Sequence, residues 1–81
     1  MDKIEKVLRK MRRKEQEAIL LVMMQIKKDF RKLPNLKPLS GMENWYRVRV
    51  GNYRILFVVE RGRVEIRKIT KRDDQTYRHL N

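Results

Sequence analysis

The apolar residues in the first part of the chain recur with a helical period. The first set has the spacing i, i+3, i+4, i+7, which places it along one side of a helix; it consists of Ile4, Val7, Leu8 and Met11. The second set belongs to a predicted helix from Glu15 or Gln16 to about Lys32, with its last member directly after that range; it consists of Ile19, Val22, Met23, Ile26, Phe30 and Leu33. Pro34 should end the second helix, because a residue before proline is pushed out of the helical region. The pattern predicts a helical hairpin, with the basic run 12–14 as the last turn of the first helix.

From Trp45 onward the apolar positions alternate, as they do in strands. The dipeptide Gly51-Asn52 is a good signal for a two-residue hairpin turn, and Arg61-Gly62 is a weaker one. These turns fix a predicted register for three strands, in which one face is apolar and packs on the helices. The predicted opposite pairs are Val50–Tyr53, Val48–Ile55, Tyr46–Phe57, Val59–Val64 and Phe57–Ile66. The preceding segment, 35–44, is predicted to be an irregular connector.

The other face of this predicted sheet collects arginines. One predicted row holds Arg47, Leu56 and Arg67, and the next holds Arg49, Arg54 and Ile69. Arg49 lies across from Arg54, and like charges in that position are normally destabilising. Two interpretations are open. The first is a solvated face whose charge deters edge pairing, and the second is a face that holds an anion such as a phosphate.

Composition narrows the class of partner. A chain of 81 residues is expected to form one small domain over residues 1–81. Its formal net charge of +12 points to nucleic acid, an anionic membrane or an acidic protein.

The chain has no cysteine for disulfides or thiolate metal sites. No apolar run approaches the roughly 18 residues of a membrane span, and no signal peptide is evident. We therefore expect a cytoplasmic protein without a membrane partner.

The segment after the third predicted strand adds cations and an aromatic ring. Lys71 and Arg72 lie beside the arginines, and Tyr77 follows them. Arginine binds phosphate bidentately and tyrosine can stack on a base, so the segment is a plausible part of a nucleotide site. The pair Asp73-Asp74 more often caps a helix or pairs with arginine than binds a cation. No metal site is expected.

Two stretches of the chain, LKPLSGMENWYRVRVGNYRILFVV and IRKITKRDDQTY, resemble the RelE/ParE toxin superfamily of toxin–antitoxin systems. The shared pattern is Leu-x-x-Leu-x-Gly, then Tyr-[RK]-x-[RK]-hydrophobic-Gly-[DN]-Tyr-Arg, and a basic segment that ends in tyrosine. The matching residues are Leu36, Leu39, Gly41, Tyr46, Arg47, Arg49, Gly51, Tyr53, Arg54, Arg72 and Tyr77. The resemblance implies an α+β fold in which an N-terminal helical hairpin packs on a small antiparallel sheet. The strand that normally opens this fold is expected to be missing or very short here.

The resemblance also implies an activity. RelE-like toxins are ribosome-dependent endoribonucleases that cut mRNA in the ribosomal A site without a metal or cofactor, by attack of a ribose 2′-hydroxyl on the adjacent phosphate. Their pattern implies that Arg54 and Arg72 hold the phosphate, that Tyr77 orients a nucleotide, and that Arg47 and Arg49 contact RNA backbone. Further RNA contacts are expected from Arg67, Lys68 and Lys71. The implied partners are an acidic, RelB-like antitoxin and the ribosome with its mRNA and ribosomal RNA.

Two departures from the family keep other functions open. Arg47 and Arg49 stand where some members have lysine, and a guanidinium hardly deprotonates near neutrality, so the general base is not identified. Histidine side chains can act as a base near neutrality, but His79 lies two residues after Tyr77, close to the end of the chain. The alternatives are a ParE-type toxin that inhibits DNA gyrase, and a degenerate, non-catalytic homologue that binds RNA or the ribosome.

Overall fold

The computed structural model of the chain describes residues 3–71. Two helices are followed by four strands that form one antiparallel sheet in the order β1-β2-β3-β4. The elements are α1 (Lys3–Arg9), α2 (Arg13–Asp29), a 3₁₀ turn (Phe30–Lys32), β1 (Leu36–Pro38), β2 (Trp45–Val50), β3 (Tyr53–Glu60) and β4 (Arg63–Lys71). The predicted α+β class, with a helical hairpin on a small sheet, is confirmed. In the described range α1 comes first, with no strand before it.

The boundary between the helices lies earlier than predicted. α1 ends at Arg9, and Arg12 is the N-cap residue of α2. The backbone N–H of Arg12 donates to a carboxylate oxygen of Glu15 at 3.2 Å, which satisfies one of the donors left open at a helix start. The basic run 12–14 therefore begins α2, and its assignment to the end of α1 is wrong.

The core lies between α2 and the inner face of the sheet. Its fully buried side chains are Ile19, Ile26, Val48, Ile55 and Phe57. Phe30, at the end of α2, packs its ring 5.3 Å from that of Tyr46 and 5.7 Å from that of Phe57, measured between centroids. Full burial of each such side chain contributes roughly 1.5–3 kcal/mol. This apolar layer packs the inner face of β2 and β3 against the helices, so their other face points away from the helices.

The sheet contains one strand more than predicted. β1 arises inside the expected connector, and its residues Leu36, Lys37 and Pro38 pair with Val48, Arg47 and Tyr46 of β2. The backbone N–H of Leu39 donates to the carbonyl of Trp45 at 2.9 Å and extends this pairing. Proline is tolerated here because β1 is an edge strand. The prediction of an irregular connector is wrong for these residues.

The pairs predicted around both turns are confirmed, but β4 contains an irregularity. Phe57 pairs with Ile66, whereas the preceding Leu56 pairs with Lys68, so Arg67 is an extra residue in a β-bulge. The bulge moves every later residue of β4 to the other face. Ile69 is therefore buried in the core at 4% exposure, and its predicted place in the arginine row is wrong.

Candidate nucleic-acid interface

The sheet face that points away from the helices gathers cations from all four strands. One row across the sheet consists of Lys37, Arg47, Leu56 and Lys68, and the next consists of Arg49, Arg54 and Thr70. These two rows are called the arginine face below. Successive residues on one face of a strand are about 7 Å apart, so the five cations surround an area that one or two phosphate groups could fill.

The five cations of the arginine face differ in exposure. Lys37, Arg49 and Lys68 are exposed, whereas Arg47 and Arg54 are half-buried. The Nε atom of Arg54 is shielded from solvent. A charge that is partly removed from water interacts more strongly with a bound anion than an exposed one. Among the cations of this face, we therefore expect Arg54 and Arg47 to have the most favourable electrostatic interaction with a bound phosphate.

None of the register positions in these two rows carries a carboxylate. Leu56 supplies an apolar patch in the middle of the first row, and Thr70 supplies a hydroxyl at the end of the second. Side chains of one sign on a low-dielectric surface raise the local concentration of counter-ions. The face is thus suited to bind a polyanion.

The next row towards the β3–β4 turn has a different character. It consists of Trp45, Val58 and Glu65. Arg67, the bulge residue, places its guanidinium carbon 5.9 Å from the centroid of the Trp45 ring. Its Nη2 lies 3.5 Å from a carboxylate oxygen of Glu65. Arg67 therefore shares the outer face as predicted, but Lys68 occupies the place beside Leu56.

The structure brings most of the predicted RNA-contacting residues together. Arg47, Arg49, Arg54, Arg67 and Lys68 all lie on the outer face. Lys71 does not, because it pairs with the inward-facing Tyr53. Arg72 and Tyr77 lie outside the described residues. Sequence reasoning missed Lys37, whose only signal was the brief alternation of Leu36 and Pro38 around it.

Metal sites and membrane-spanning helices are two further possibilities for the part of the chain that the structure describes. Residues 3–71 contain no group of three or more His, Cys, Asp or Glu side chains that could hold a metal ion. No helix in that range is long and apolar enough to cross a membrane.

A second surface lies on the outside of α2. Leu20, Leu21 and Met24 share one side of this helix and remain 43%, 67% and 68% exposed. Positions three and four apart are neighbours on a helix, so the three form a continuous apolar strip. Arg13 and Lys28 lie on the same side of α2, one turn or more away at either end. Exposed apolar strips with a charged border are typical of protein–protein contacts.

Comparison with known proteins decides the fold family. The structure superposes on a chain of the crystal structure of the RelB–RelE antitoxin–toxin complex from Methanococcus jannaschii with a TM-score of 0.71. The match has 25% sequence identity and covers 91% of this chain and 88% of that one. The chain has a RelE-like toxin fold. No protein-family model matches the sequence, and no curated protein matches it either. The resemblance seen in the sequence is thus confirmed by three-dimensional similarity, and the RelE-like sheet is the one that carries the arginine face.

Proposed function

We propose that residues 1–81 form a single RelE-like toxin domain that cuts mRNA in the A site of cytoplasmic ribosomes and so inhibits translation. The observation that carries this proposal is the coincidence of a RelE-like fold with an arginine face. The matched residues Arg47, Arg49 and Arg54 lie within two neighbouring rows of that face. A single polyanionic strand laid across the sheet would contact all three.

The chemistry suits a surface of cations. In the proposed reaction a ribose 2′-oxygen bonds to the adjacent phosphorus, the bond to the 5′-oxygen breaks, and the products end in a cyclic phosphate and a 5′-hydroxyl. Negative charge accumulates on the phosphate oxygens in the transition state, and fixed donors in a partly desolvated site stabilise it. Arg54 is the best placed for this role because it is half-buried and its Nε atom is shielded from solvent, with Arg72 assisting. Arg47 and Arg49 position the backbone on either side.

Proton transfer needs further groups. A base must accept the 2′-hydroxyl proton, and a donor must protonate the departing 5′-oxygen. The two rows of the arginine face offer lysine, arginine, leucine and threonine, none of which is an ordinary base near neutrality. We propose that Tyr77 orients the reacting nucleotide. Catalysis would then rest chiefly on positioning and charge stabilisation, with the ribosome fixing the mRNA.

An acidic antitoxin is the expected protein partner. The structural neighbour was crystallised as a RelB–RelE antitoxin–toxin complex. This chain offers such a partner a net charge of +12 and the apolar strip Leu20, Leu21 and Met24. The acidic segments of an antitoxin would neutralise the positive charge, and its apolar segments would cover the strip on α2. Association should be fast at low salt and slower at high salt.

A translation extract tests the activity. Purified protein is added to an extract that translates a defined mRNA, and cleavage sites are mapped by primer extension. We expect ribosome-dependent cuts at fixed positions within codons, and their loss in Arg54→Ala. Arg13→Ala is the matched control, because it also removes one arginine but its side chain projects from α2 at 91% exposure. Full activity of Arg54→Ala would refute the site.

The same extract separates the alternatives. Intact mRNA together with inhibited supercoiling by purified DNA gyrase would support the ParE-type function. Ribosome binding without cleavage would support a non-catalytic homologue, which the lack of an ordinary base in the two rows of the arginine face favours. Cleavage in the absence of ribosomes would contradict the proposed ribosome dependence.

A further inference from the structure

The outer face of the sheet changes its chemistry along the strands. The arginine face is cationic, whereas the turn end carries both signs of charge, with the carboxylates Glu60 and Glu65 beside the guanidinium groups of Arg61 and Arg63. A shallow recess lies at this end, lined by Val58, Glu60, Arg61, Arg63 and Glu65. The two charges of each sign nearly cancel, so this end attracts a phosphate group less strongly than the arginine face does. The recess therefore suits a different part of a nucleic acid from the one that the arginines hold.

Val58 is apolar and only 3% exposed, although it points away from the main core. Its neighbours across the strands are Trp45 and Glu65. It thus belongs to a small apolar site of its own, with the Trp45 ring beside it. An indole next to a buried valine, on a face that is mostly charged elsewhere, provides a flat apolar surface that the fold does not use for its core.

The backbone around Trp45 is fixed on both sides. Its N–H donates to the carbonyl of Met42 at 3.5 Å, and its carbonyl accepts from Leu39 at 2.9 Å. The carbonyl of the preceding Asn44 accepts from Val59 at 2.9 Å. Arg67 then holds the ring through a cation–π contact. A stacking surface that is positioned before binding loses less conformational freedom when a ligand arrives.

The side chains of this end match the chemistry of a nucleobase. Bases stack on aromatic rings and on guanidinium planes, which Trp45 and Arg67 both supply. Carboxylates accept hydrogen bonds from exocyclic amino groups of bases, and Glu65 lies in the same row as Trp45. The row of Trp45 is about 7 Å from the first row of the arginine face. A base could therefore reach it from a phosphate held by Arg47.

We propose that Trp45 and Arg67 form a stacking site for an unpaired base of single-stranded RNA, whose neighbouring phosphate lies on the arginine face. The inference rests on the proposed function for the identity of the ligand, and it adds to that function a base contact made by the sheet itself. Val58 is the floor of the site. Glu65 accepts a hydrogen bond from the base and anchors Arg67.

Trp45 is the only tryptophan of the chain, so its fluorescence reports directly on the proposed site. The purified protein is titrated with a short single-stranded RNA and, separately, with an abasic oligonucleotide of the same length and charge. Stacking on the indole should quench the fluorescence with the RNA and leave it nearly unchanged with the abasic chain. Equal quenching by both, or no quenching while fluorescence anisotropy of labelled RNA shows binding, would overturn the proposal.

Variants give a second readout. Removal of the ring in Trp45→Leu should weaken binding of labelled RNA by about tenfold, in line with the stacking contribution of one base, and should leave binding of the abasic chain unaffected. Trp45→Phe retains a ring and should retain most of the preference for RNA over the abasic chain. Thermal unfolding identifies a variant that fails to fold, and the wild-type titration remains decisive in that case.

The outcomes for the base site and for the proposed function are separable. Ribosome-dependent cleavage by wild-type protein, with no difference between RNA and abasic chain, would refute the base site alone. Selective quenching by RNA without any cleavage would support the base site and refute the nuclease.

Discussion

Arg49 and Arg54 lie directly opposite each other on β2 and β3, with the hairpin turn Gly51-Asn52 between them. Two like charges at directly paired positions repel. The apolar alternation of both strands fixes the register, so neither arginine can leave the face without burying itself. The chain therefore maintains a repulsive pair at the centre of the surface that we propose to bind RNA.

Replacement of one of these arginines should stabilise the free protein. Arg49→Thr removes the repulsion and introduces a residue that favours strands, so the free energy of unfolding should rise by about 0.2–1 kcal/mol at low salt. High salt should shrink the gain, because exposed charges are screened. Urea unfolding followed by circular dichroism at two salt concentrations measures this. Arg63→Thr serves as the control, since Arg63 pairs with the oppositely charged Glu60 and its loss should bring no such gain.

A polyanion should stabilise the wild-type protein without any ribosome. Tripolyphosphate at about 100 times its dissociation constant would add about 2.7 kcal/mol to the free energy of unfolding. The rise in melting temperature should be much smaller in the double variant Arg47→Ala/Arg54→Ala. An equal rise in that variant would place the anion elsewhere on the molecule.

Lys37 should contribute to RNA binding although it lies on the short edge strand. It is next to Arg47 in the first row of the arginine face. Lys37→Ala should weaken binding of single-stranded RNA and reduce the slope of log K against log salt by about 0.7, as expected for one lost phosphate contact. Lys28→Ala is the matched control, because Lys28 is an exposed lysine at the end of α2. An unchanged salt slope in Lys37→Ala would remove Lys37 from the interface.

The β3–β4 turn contains a strained residue. Arg61 has φ of 51° and Gly62 has φ of 77°, which are the signs required by a type I′ turn. A residue with a long side chain is disfavoured at positive φ, whereas asparagine accepts it. Arg61→Asn should therefore raise the free energy of unfolding, by up to about 1 kcal/mol.

Arg61→Val offers the opposite test of the same turn, since a β-branched residue at positive φ is a steric outlier. It should lower stability. If both substitutions shift the urea midpoint in the same direction, the effect comes from the lost charge and not from the backbone.

The parts of the fold that depend on local signals, such as turn residues and alternating apolar positions, could be predicted from the sequence. Gly51-Asn52 and the alternation around it fix the β2–β3 pairing, and with it the placement of Arg47, Arg49 and Arg54 on one face. β1 could not be found in this way. It has only three residues, one of them proline, and it becomes a strand only by pairing with Trp45–Val50.

The sequence contains a signal for the bulge, but a rule of strict alternation between inward and outward residues misses it. Ile66 and Ile69 are separated by two cations, and no regular strand can point both isoleucines inward. Assuming an unbroken strand placed Ile69 outside and Arg67 beside Leu56. The contact between Trp45 and Arg67 was not predicted either, since the assumed unbroken strand placed Arg67 beside Leu56.

The bulge at Arg67 also reverses the parity of β4. Before it the odd-numbered residues Arg63 and Glu65 face outward, and after it the even-numbered Lys68 and Thr70 do. The two halves of the strand are therefore out of phase with each other. Deletion of Arg67 alone would leave a regular strand in which Lys68 still pairs with Leu56, Ile69 still faces the core and Thr70 still faces outward. The strand can therefore lose one residue at the bulge without exchanging the two faces of the sheet, whereas the same loss elsewhere in β4 would exchange them.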